Sequence, residues 1–154
     1  VRPENLHITL KFLGNISAET IPQIEKALED IVLKTQPFEI MLNGIGCFPN
    51  SRHPRVIWIG VKDNGILNKI SKELNDRLSK IGKTDHDFSQ HLTIGRVKDN
   101  HKIPSLHAEI ERFTNFTFGS NLINTISLMK SELTPQGSIY SIIKDFNLTQ
   151  KQPL

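Results

Sequence analysis

Two stretches of this chain carry the same His-x-Thr core, and they read Asn5-Leu6-His7-Ile8-Thr9-Leu10-Lys11-Phe12-Leu13-Gly14 and Gln90-His91-Leu92-Thr93-Ile94-Gly95-Arg96-Val97. We interpret both as β-strands. Because successive side chains of a strand point to opposite faces, His7 and Thr9 share one face while the neighbouring leucine and isoleucine residues share the other. The same alternation holds for His91 and Thr93. Each strand therefore presents an imidazole beside a hydroxyl, and we predict that the two copies face one another across a cleft.

The overall composition is that of one ordinary domain. A length of 154 residues is enough to bury a core without the help of a metal or a disulfide. No segment approaches the roughly 18 uninterrupted apolar residues of a membrane span, so we expect a soluble protein that does not associate with membranes. The net charge of +3 favours an anionic ligand only weakly.

The single cysteine, Cys47, excludes an internal disulfide framework and fits a reducing, cytoplasmic location. A catalytic thiol is the alternative function for it. Cys47 lies in an apolar run with Ile45 and Phe48, which favours a small buried side chain.

The remaining elements follow from hydrophobic periodicity. Thr20 is the predicted N-cap of a first helix that ends near Lys34 and Thr35, with Pro22 in its first turn. A second helix is predicted over about 64–81 and a short third one after Pro104. Strands are predicted at about 6–13, 37–46, 55–61, 90–97, 115–118, 124–131 and 138–146.

This mixed order favours an α+β architecture with helices packed outside antiparallel sheets. Each half of the chain contains a His-x-Thr strand, then a helix, then further strands. The duplication predicts a single domain over 1–154 made of two pseudo-symmetric lobes, with His7 and His91 brought together in a central cleft.

Paired imidazoles are suited to phosphodiester chemistry. Histidine titrates with an unperturbed pKa of about 6.5, so one imidazole can take a proton from water while a protonated one gives a proton to the leaving oxygen. Thr9 and Thr93 can donate hydrogen bonds to the charge that develops on phosphate oxygens. The motifs contain no carboxylate and offer one histidine each, so we expect neither a metal nor another cofactor.

A single His-x-Thr can arise by chance, and one exposed histidine on a strand is more often structural than catalytic. Two copies in alternating apolar strands favour the functional interpretation. Four other stretches, together with the two motifs, carry the resemblance to a known family that follows: Cys47-Phe48-Pro49, Trp58-Ile59-Gly60-Val61, Leu128-Met129-Lys130-Ser131-Glu132-Leu133 and Gly137-Ser138-Ile139-Tyr140.

With these stretches the chain resembles the two-histidine (2H) phosphoesterase superfamily, and within it the RNA 2′,3′-cyclic phosphodiesterase family, also called 2′-5′ RNA ligase. The resemblance implies a bilobal α+β fold with a central cleft. It implies hydrolysis of RNA 2′,3′-cyclic phosphate ends, such as those of tRNA halves, to 2′-phosphates without ATP or metal. Some members also join RNA ends reversibly by 2′-5′ linkage, and we expect a monomer.

The same resemblance assigns roles to residues. It makes His91 the general base towards water and His7 the general acid towards the 3′-oxygen, and these roles exchange when the reaction runs in reverse. It makes Thr9 and Thr93 phosphate ligands and points to Arg96 as a further phosphate contact. Strict alternation places Arg96 on the face opposite His91, so its role requires a bulge or a strand that ends near Gly95. Alternatively, Arg96 covers the sheet with its aliphatic stem.

Family members usually have about thirty residues before the first motif, and Val1 lies close to His7. We therefore expect a strand and a helix of one lobe to be missing because the chain is truncated or cleaved, or else to be supplied otherwise. Their absence would leave a sheet edge and an apolar surface uncovered.

Two other functions remain open, namely a non-catalytic module that binds RNA ends or nucleotides and a phosphodiesterase for a small cyclic phosphate such as ADP-ribose 1″,2″-cyclic phosphate. Three further groups of residues are weaker candidates. Lys11 could attract a phosphate, whereas the remaining histidines are better explained as solvated side chains: His53, His86, His101 and His107. Phe48, Trp58 and Tyr140 could stack on a base, although core packing is the default for all three.

Overall fold

The computed structural model describes residues 1–51, 53–82, 88–97, 104–135 and 137–149. These residues form three α-helices and six β-strands, besides two short 3₁₀ turns at Pro3–Asn5 and Ala18–Thr20. The elements in chain order are α1 (Ile21–Val32), β1 (Phe38–Phe48), β2 (Val56–Lys62), α2 (Ile66–Arg77), β3 (His91–Arg96), α3 (Pro104–Arg112), β4 (Thr117–Ile123), β5 (Thr125–Thr134) and β6 (Gly137–Asn147). Within the part of the chain that the structure describes, every helix is too short or too polar to cross a membrane.

The strands form two sheets. A four-stranded sheet has the order β3-β2-β1-β4, in which β1 pairs with β2 and β2 with β3 in antiparallel directions. The other sheet is the antiparallel hairpin β5-β6. The α+β class predicted from the order of elements is therefore confirmed.

The chain divides into two compact units. The first contains the described residues of 1–10, 39–68 and 87–121, and the second those of 11–38, 69–86 and 122–154. Both His-x-Thr motifs lie in the first unit, whereas the sequence pattern predicts one motif in each lobe. The pseudo-symmetry of the two lobes stays a prediction. So does the expectation that a strand and a helix before the first motif are missing.

The first motif does not form the strand predicted over about 6–13. Its one ladder contact is an isolated antiparallel bridge between Ile8 and Leu92, and Gly14 ends the segment with a φ of 71°. Leu6, predicted to face the apolar side, is 41% exposed, and Phe12 is 56% exposed. Alternation of side chains describes only how a strand would pack. A strand also needs consecutive backbone partners, and those depend on the rest of the fold.

Thr20 is the N-cap residue of α1, as predicted. Its side chain makes no capping hydrogen bond, because its hydroxyl donates instead to the carbonyl of Ser17 at 2.6 Å. Ser17 in turn caps the preceding 3₁₀ turn, its hydroxyl accepting from the amide of Glu19. Pro22 lies in the first turn as predicted, where the missing N–H leaves no intrahelical hydrogen bond unmade.

The core of the second unit lies between α1 and the hairpin β5-β6. Its buried side chains include Ile24, Leu28, Ile31, Ile126, Leu128 and Phe146. At the edge of this contact Lys144 on β6 donates to Glu25 at 2.7 Å and Glu29 at 3.2 Å on α1. Apolar burial and a paired cation thus hold the helix on the hairpin.

An ion-pair network joins α1 to α2 within the second unit. Glu73 accepts hydrogen bonds from Lys34 and from Arg77, and Arg77 also donates to Asp30 at 2.9 Å. The hydrogen bond from Lys34, with a further one from Arg77, holds the pKa of Glu73 below its ordinary value of 4.5. The charged carboxylate is therefore favoured in the folded state.

We expect this carboxylate to make stability depend on acid pH. Because the pKa of Glu73 is lower in the folded than in the unfolded chain, its contribution is complete above pH 4.5 and is lost as pH falls through the folded value. Glu73→Gln should lower Tm by about 1 to 3 °C at pH 7, since ion pairs near the surface are screened. The difference from the wild type should shrink as the pH falls below 4.5. Thermal melts followed by circular dichroism check this, with Glu39→Gln on an exposed position of β1 as the control. A difference that does not shrink in acid would contradict it.

Candidate active site

The two motifs meet at the edge of the four-stranded sheet. The antiparallel bridge pairs Ile8 with Leu92. Ile8 and Leu92 are the middle residues of the two His-x-Thr motifs, so the bridge brings the backbone of the first motif alongside that of the second.

The two histidines are held by the same backbone contact. Nδ1 of His7 lies 2.7 Å from the carbonyl oxygen of Asn5, and Nδ1 of His91 lies 2.7 Å from that of Ser89. A carbonyl oxygen can only accept, so each Nδ1 carries the hydrogen. In the neutral ring Nε2 is then the basic nitrogen, and in the protonated ring Nε2 is the atom that gives up the proton. Both rings are therefore prepared for proton transfer through Nε2.

A β-bulge in β3 places Arg96 on the face of the motif. Trp58 pairs with Thr93 and the preceding Ile57 pairs with Gly95, so Ile94 is an extra residue on β3. After the bulge Arg96 pairs with Val56, which shares the face of Trp58. The sequence analysis requires a bulge if Arg96 is to lie on the same face as His91, and that bulge is present. Phosphate binding by Arg96 stays a prediction.

We call this side of the sheet the motif face. Its positions on the three paired strands are Asn43, Gly46 and Phe48 of β1, Val56, Trp58 and Gly60 of β2, and His91, Thr93 and Arg96 of β3. The side chains on the other face are mainly aliphatic, and Val61 among them is 5% exposed. The sheet therefore separates an apolar face from one that carries the polar side chains of the second motif.

Three rings pack together on the motif face. Phe48 contacts His91 edge to face, with ring centroids 5.2 Å apart and planes at 83°. Phe48 also packs on Trp58 at 5.3 Å, and Trp58 lies 6.4 Å from His91. The imidazole of His91 is thus held by a backbone carbonyl and by aromatic neighbours.

The indole of Trp58 lies over a glycine. A Cβ atom at Gly46 would overlap the six-membered ring of Trp58, whereas one at Gly95 would meet only Ile57 at 3.8 Å.

We expect Gly46→Ala to destabilise the protein by about 1 to 3 kcal/mol through overpacking. Trp58→Phe removes the clashing atoms, so the double variant should lose less than the sum of the two single changes. Urea unfolding measures both, and Gly95→Ala is the matched control, expected near wild type. Equal midpoints for Gly46→Ala and Gly95→Ala would contradict the expectation.

The alternative chemistries receive less support from the geometry. Cys47 pairs with Ile57 and so lies on the apolar face, where burial raises the pKa of its thiol and disfavours the nucleophilic thiolate. Lys11 donates a hydrogen bond to Asn75 of α2. Among the described residues there is no group of three or more His, Cys, Asp or Glu side chains that could hold a metal.

Of the other histidines, His53 is exposed and His107 lies 3.6 Å from Glu111 on α3. His86 and His101 lie outside the described residues. Sequence reasoning did not foresee the carbonyl partners of His7 and His91, because backbone groups leave no side-chain signal.

The similarity of this chain to known proteins extends well beyond the two His-x-Thr motifs. A family model described as the 2′-5′ RNA ligase superfamily matches residues 1–134. A protein of Archaeoglobus fulgidus named RNA 2′,3′-cyclic phosphodiesterase is 42% identical over 147 residues, which are 95% of this chain and 81% of the relative. One of the same name from Methanocaldococcus jannaschii is 44% identical over 149 residues, 95% of this chain and 82% of the relative. The crystal structure of TT0787 from Thermus thermophilus superposes with a TM-score of 0.80 at 28% identity and covers 96% of this chain and 80% of that one.

Proposed function

The chain belongs to the 2′-5′ RNA ligase superfamily, as its motifs predict, and on that premise we propose that it hydrolyses RNA 2′,3′-cyclic phosphate ends to 2′-phosphates without a metal. The observation that supports the proposal is the antiparallel bridge between Ile8 and Leu92, the middle residues of the two His-x-Thr motifs. Two relatives that are more than 40% identical to this chain over the matched residues bear the name of that activity.

In the proposed reaction the cyclic phosphate lies between the two imidazoles. Nε2 of His91 takes a proton from a water molecule, whose oxygen forms the new bond to phosphorus. The bond from phosphorus to the 3′-oxygen breaks, and Nε2–H of the protonated His7 gives its proton to that oxygen. The products are a 3′-hydroxyl and a 2′-phosphate, and each histidine ends in the protonation state in which the other began.

Hydrogen-bond donors stabilise the charge that accumulates during this step. The hydroxyls of Thr9 and Thr93 donate to the non-bridging phosphate oxygens, where negative charge grows in the transition state. Arg96, placed on the same face by the bulge at Ile94, adds a cation whose planar donors suit a phosphate. These groups are preorganised, because β3 and its bridge to Ile8 fix their backbone positions.

The proposed partner is RNA that ends in a 2′,3′-cyclic phosphate, such as a tRNA half, acted on by a monomer in the cytoplasm. By microscopic reversibility the same pair of histidines can catalyse the joining of a 5′-hydroxyl to such an end by a 2′-5′ linkage, with their roles exchanged. Hydrolysis is the favoured direction in dilute solution.

A turnover assay tests the proposal directly. Oligonucleotides with 2′,3′-cyclic ends are incubated with the protein in the presence and absence of EDTA, and the end groups are identified by mass spectrometry and phosphatase sensitivity. We expect 2′-phosphate ends at the same rate in both conditions. Binding of a 2′-phosphate end without turnover would select a binding module. A rate that is much higher on ADP-ribose 1″,2″-cyclic phosphate would select a small-molecule phosphodiesterase, and loss of activity in EDTA would contradict the metal-free mechanism.

A further inference from the structure

The proposed mechanism makes no use of the aromatic side chains beside His91. Phe48 contacts the imidazole directly, and its ring is 36% exposed. Rings that serve only the core of this protein are covered far more completely, since Phe38 is 7% and Phe146 5% exposed. Phe48 therefore keeps an open aromatic surface next to a reacting group.

The indole of Trp58 packs against the ring of Phe48. Its indole packs on Phe48 with planes tilted by 39° and lies over β1, where Gly46 leaves room for it. Among the described residues its buried Nε1 has no hydrogen-bond partner, so the ring and not the N–H accounts for its place on the motif face. The ring of Phe48 thus packs on the ring of Trp58, with their centroids 5.3 Å apart.

The chemistry around this surface fits one end of a nucleotide. Thr93 and Arg96 offer phosphate donors on the same face as Phe48 and Trp58. In a nucleoside 2′,3′-cyclic phosphate the base and the phosphate are attached to the same ribose. When the phosphate is bound at His91, the base therefore lies no farther from the His91 side chain than the width of one sugar ring. Stacking of bases on exposed rings is favourable for all four bases, because every base has a π-face.

We propose that Phe48, backed by Trp58, is the surface on which the nucleobase of the terminal nucleotide stacks. This inference rests on the proposed function, and it adds that the site selects for the presence of a base without selecting its identity. Phe48 is in this role a substrate-binding residue next to the two histidines.

The test compares two substrates that differ only in the base. Adenosine 2′,3′-cyclic phosphate carries it, and 1-O-methylribose 2,3-cyclic phosphate does not. Phe48→Leu keeps an apolar side chain and removes the π-face, so kcat/KM for the adenosine compound should fall about 10- to 100-fold, mainly through KM. For the base-free substrate kcat/KM should fall by a clearly smaller factor, because only the contact of Phe48 with His91 is lost there, and Phe48→Tyr should restore the adenosine activity.

Phe118→Leu is the matched control. Phe118 is 39% exposed in the same unit but packs on Phe113 and Phe116, so its loss should leave both substrates unaffected. Circular dichroism verifies that each variant is folded.

Equal losses on both substrates would overturn the proposal in favour of a ring that only positions His91, and unchanged rates on both would overturn it outright. If the wild type turned over neither these two substrates nor an oligonucleotide with a 2′,3′-cyclic end, the proposed function would fail while the stacking surface stayed testable. Calorimetry with adenosine 2′-phosphate and 1-O-methylribose 2-phosphate would then decide, since Phe48→Leu should weaken binding of the first alone. Equal weakening of both, or of neither, would refute stacking.

Discussion

His7→Ala and His91→Ala should each lower kcat on a 2′,3′-cyclic end by about 10²- to 10⁴-fold, the usual contribution of a positioned acid or base. Each ring is fixed by an Nδ1–H donated to a carbonyl two residues earlier, which presents Nε2 for proton transfer. Alanine removes that atom without disturbing the carbonyl. Because the two rings act in one step, the double variant should be little slower than the slower single one.

The pH dependence separates the two roles. The wild type should show a bell-shaped profile of kcat/KM, because one imidazole must be neutral and the other protonated. Each alanine variant should lose one limb of the bell, and the limb lost identifies that ring as base or acid. His53→Ala, at an exposed loop position of the same unit, is the matched control and should keep both limbs. A near-wild-type rate in either motif variant would contradict the paired scheme.

Thr9→Val and Thr93→Val should each lower kcat by about 10²- to 10³-fold, equivalent to about 2.7 to 4 kcal/mol of transition-state stabilisation. Valine keeps the β-branched shape and removes only the hydroxyl, so the backbone register of the motifs should be unchanged. The effect should fall on kcat more than on KM, since the donors strengthen as charge develops on the phosphate oxygens.

The corresponding serine variants are the controls, because they restore a hydroxyl at the same position. Thr9→Ser and Thr93→Ser should recover most of the lost rate, as measured in steady-state kinetics on one oligonucleotide substrate. Valine variants that lose binding alone, with kcat unchanged, would show that the hydroxyls hold the ground state and do not stabilise the transition state.

Arg96 illustrates the boundary between sequence and structure. Alternation along β3 predicts that Arg96 faces away from His91, and the sequence can only name the bulge that would reverse this. The bulge arises where β3 advances two residues against one of β2. Its position depends on how two strands separated by α2 fit together, which no local pattern records.

The sequence by itself determined what local chemistry controls. Alternating side chains placed each histidine beside a threonine, apolar periodicity located the helices, and the repeated motif with its accompanying stretches identified the family. Only the tertiary structure decided that the first motif forms a single bridge at Ile8, that backbone carbonyls hold both imidazoles, and that Phe48 and Trp58 surround His91. These features depend on partners distant in the chain or on backbone groups common to every residue. The identity of neighbouring side chains therefore does not specify them.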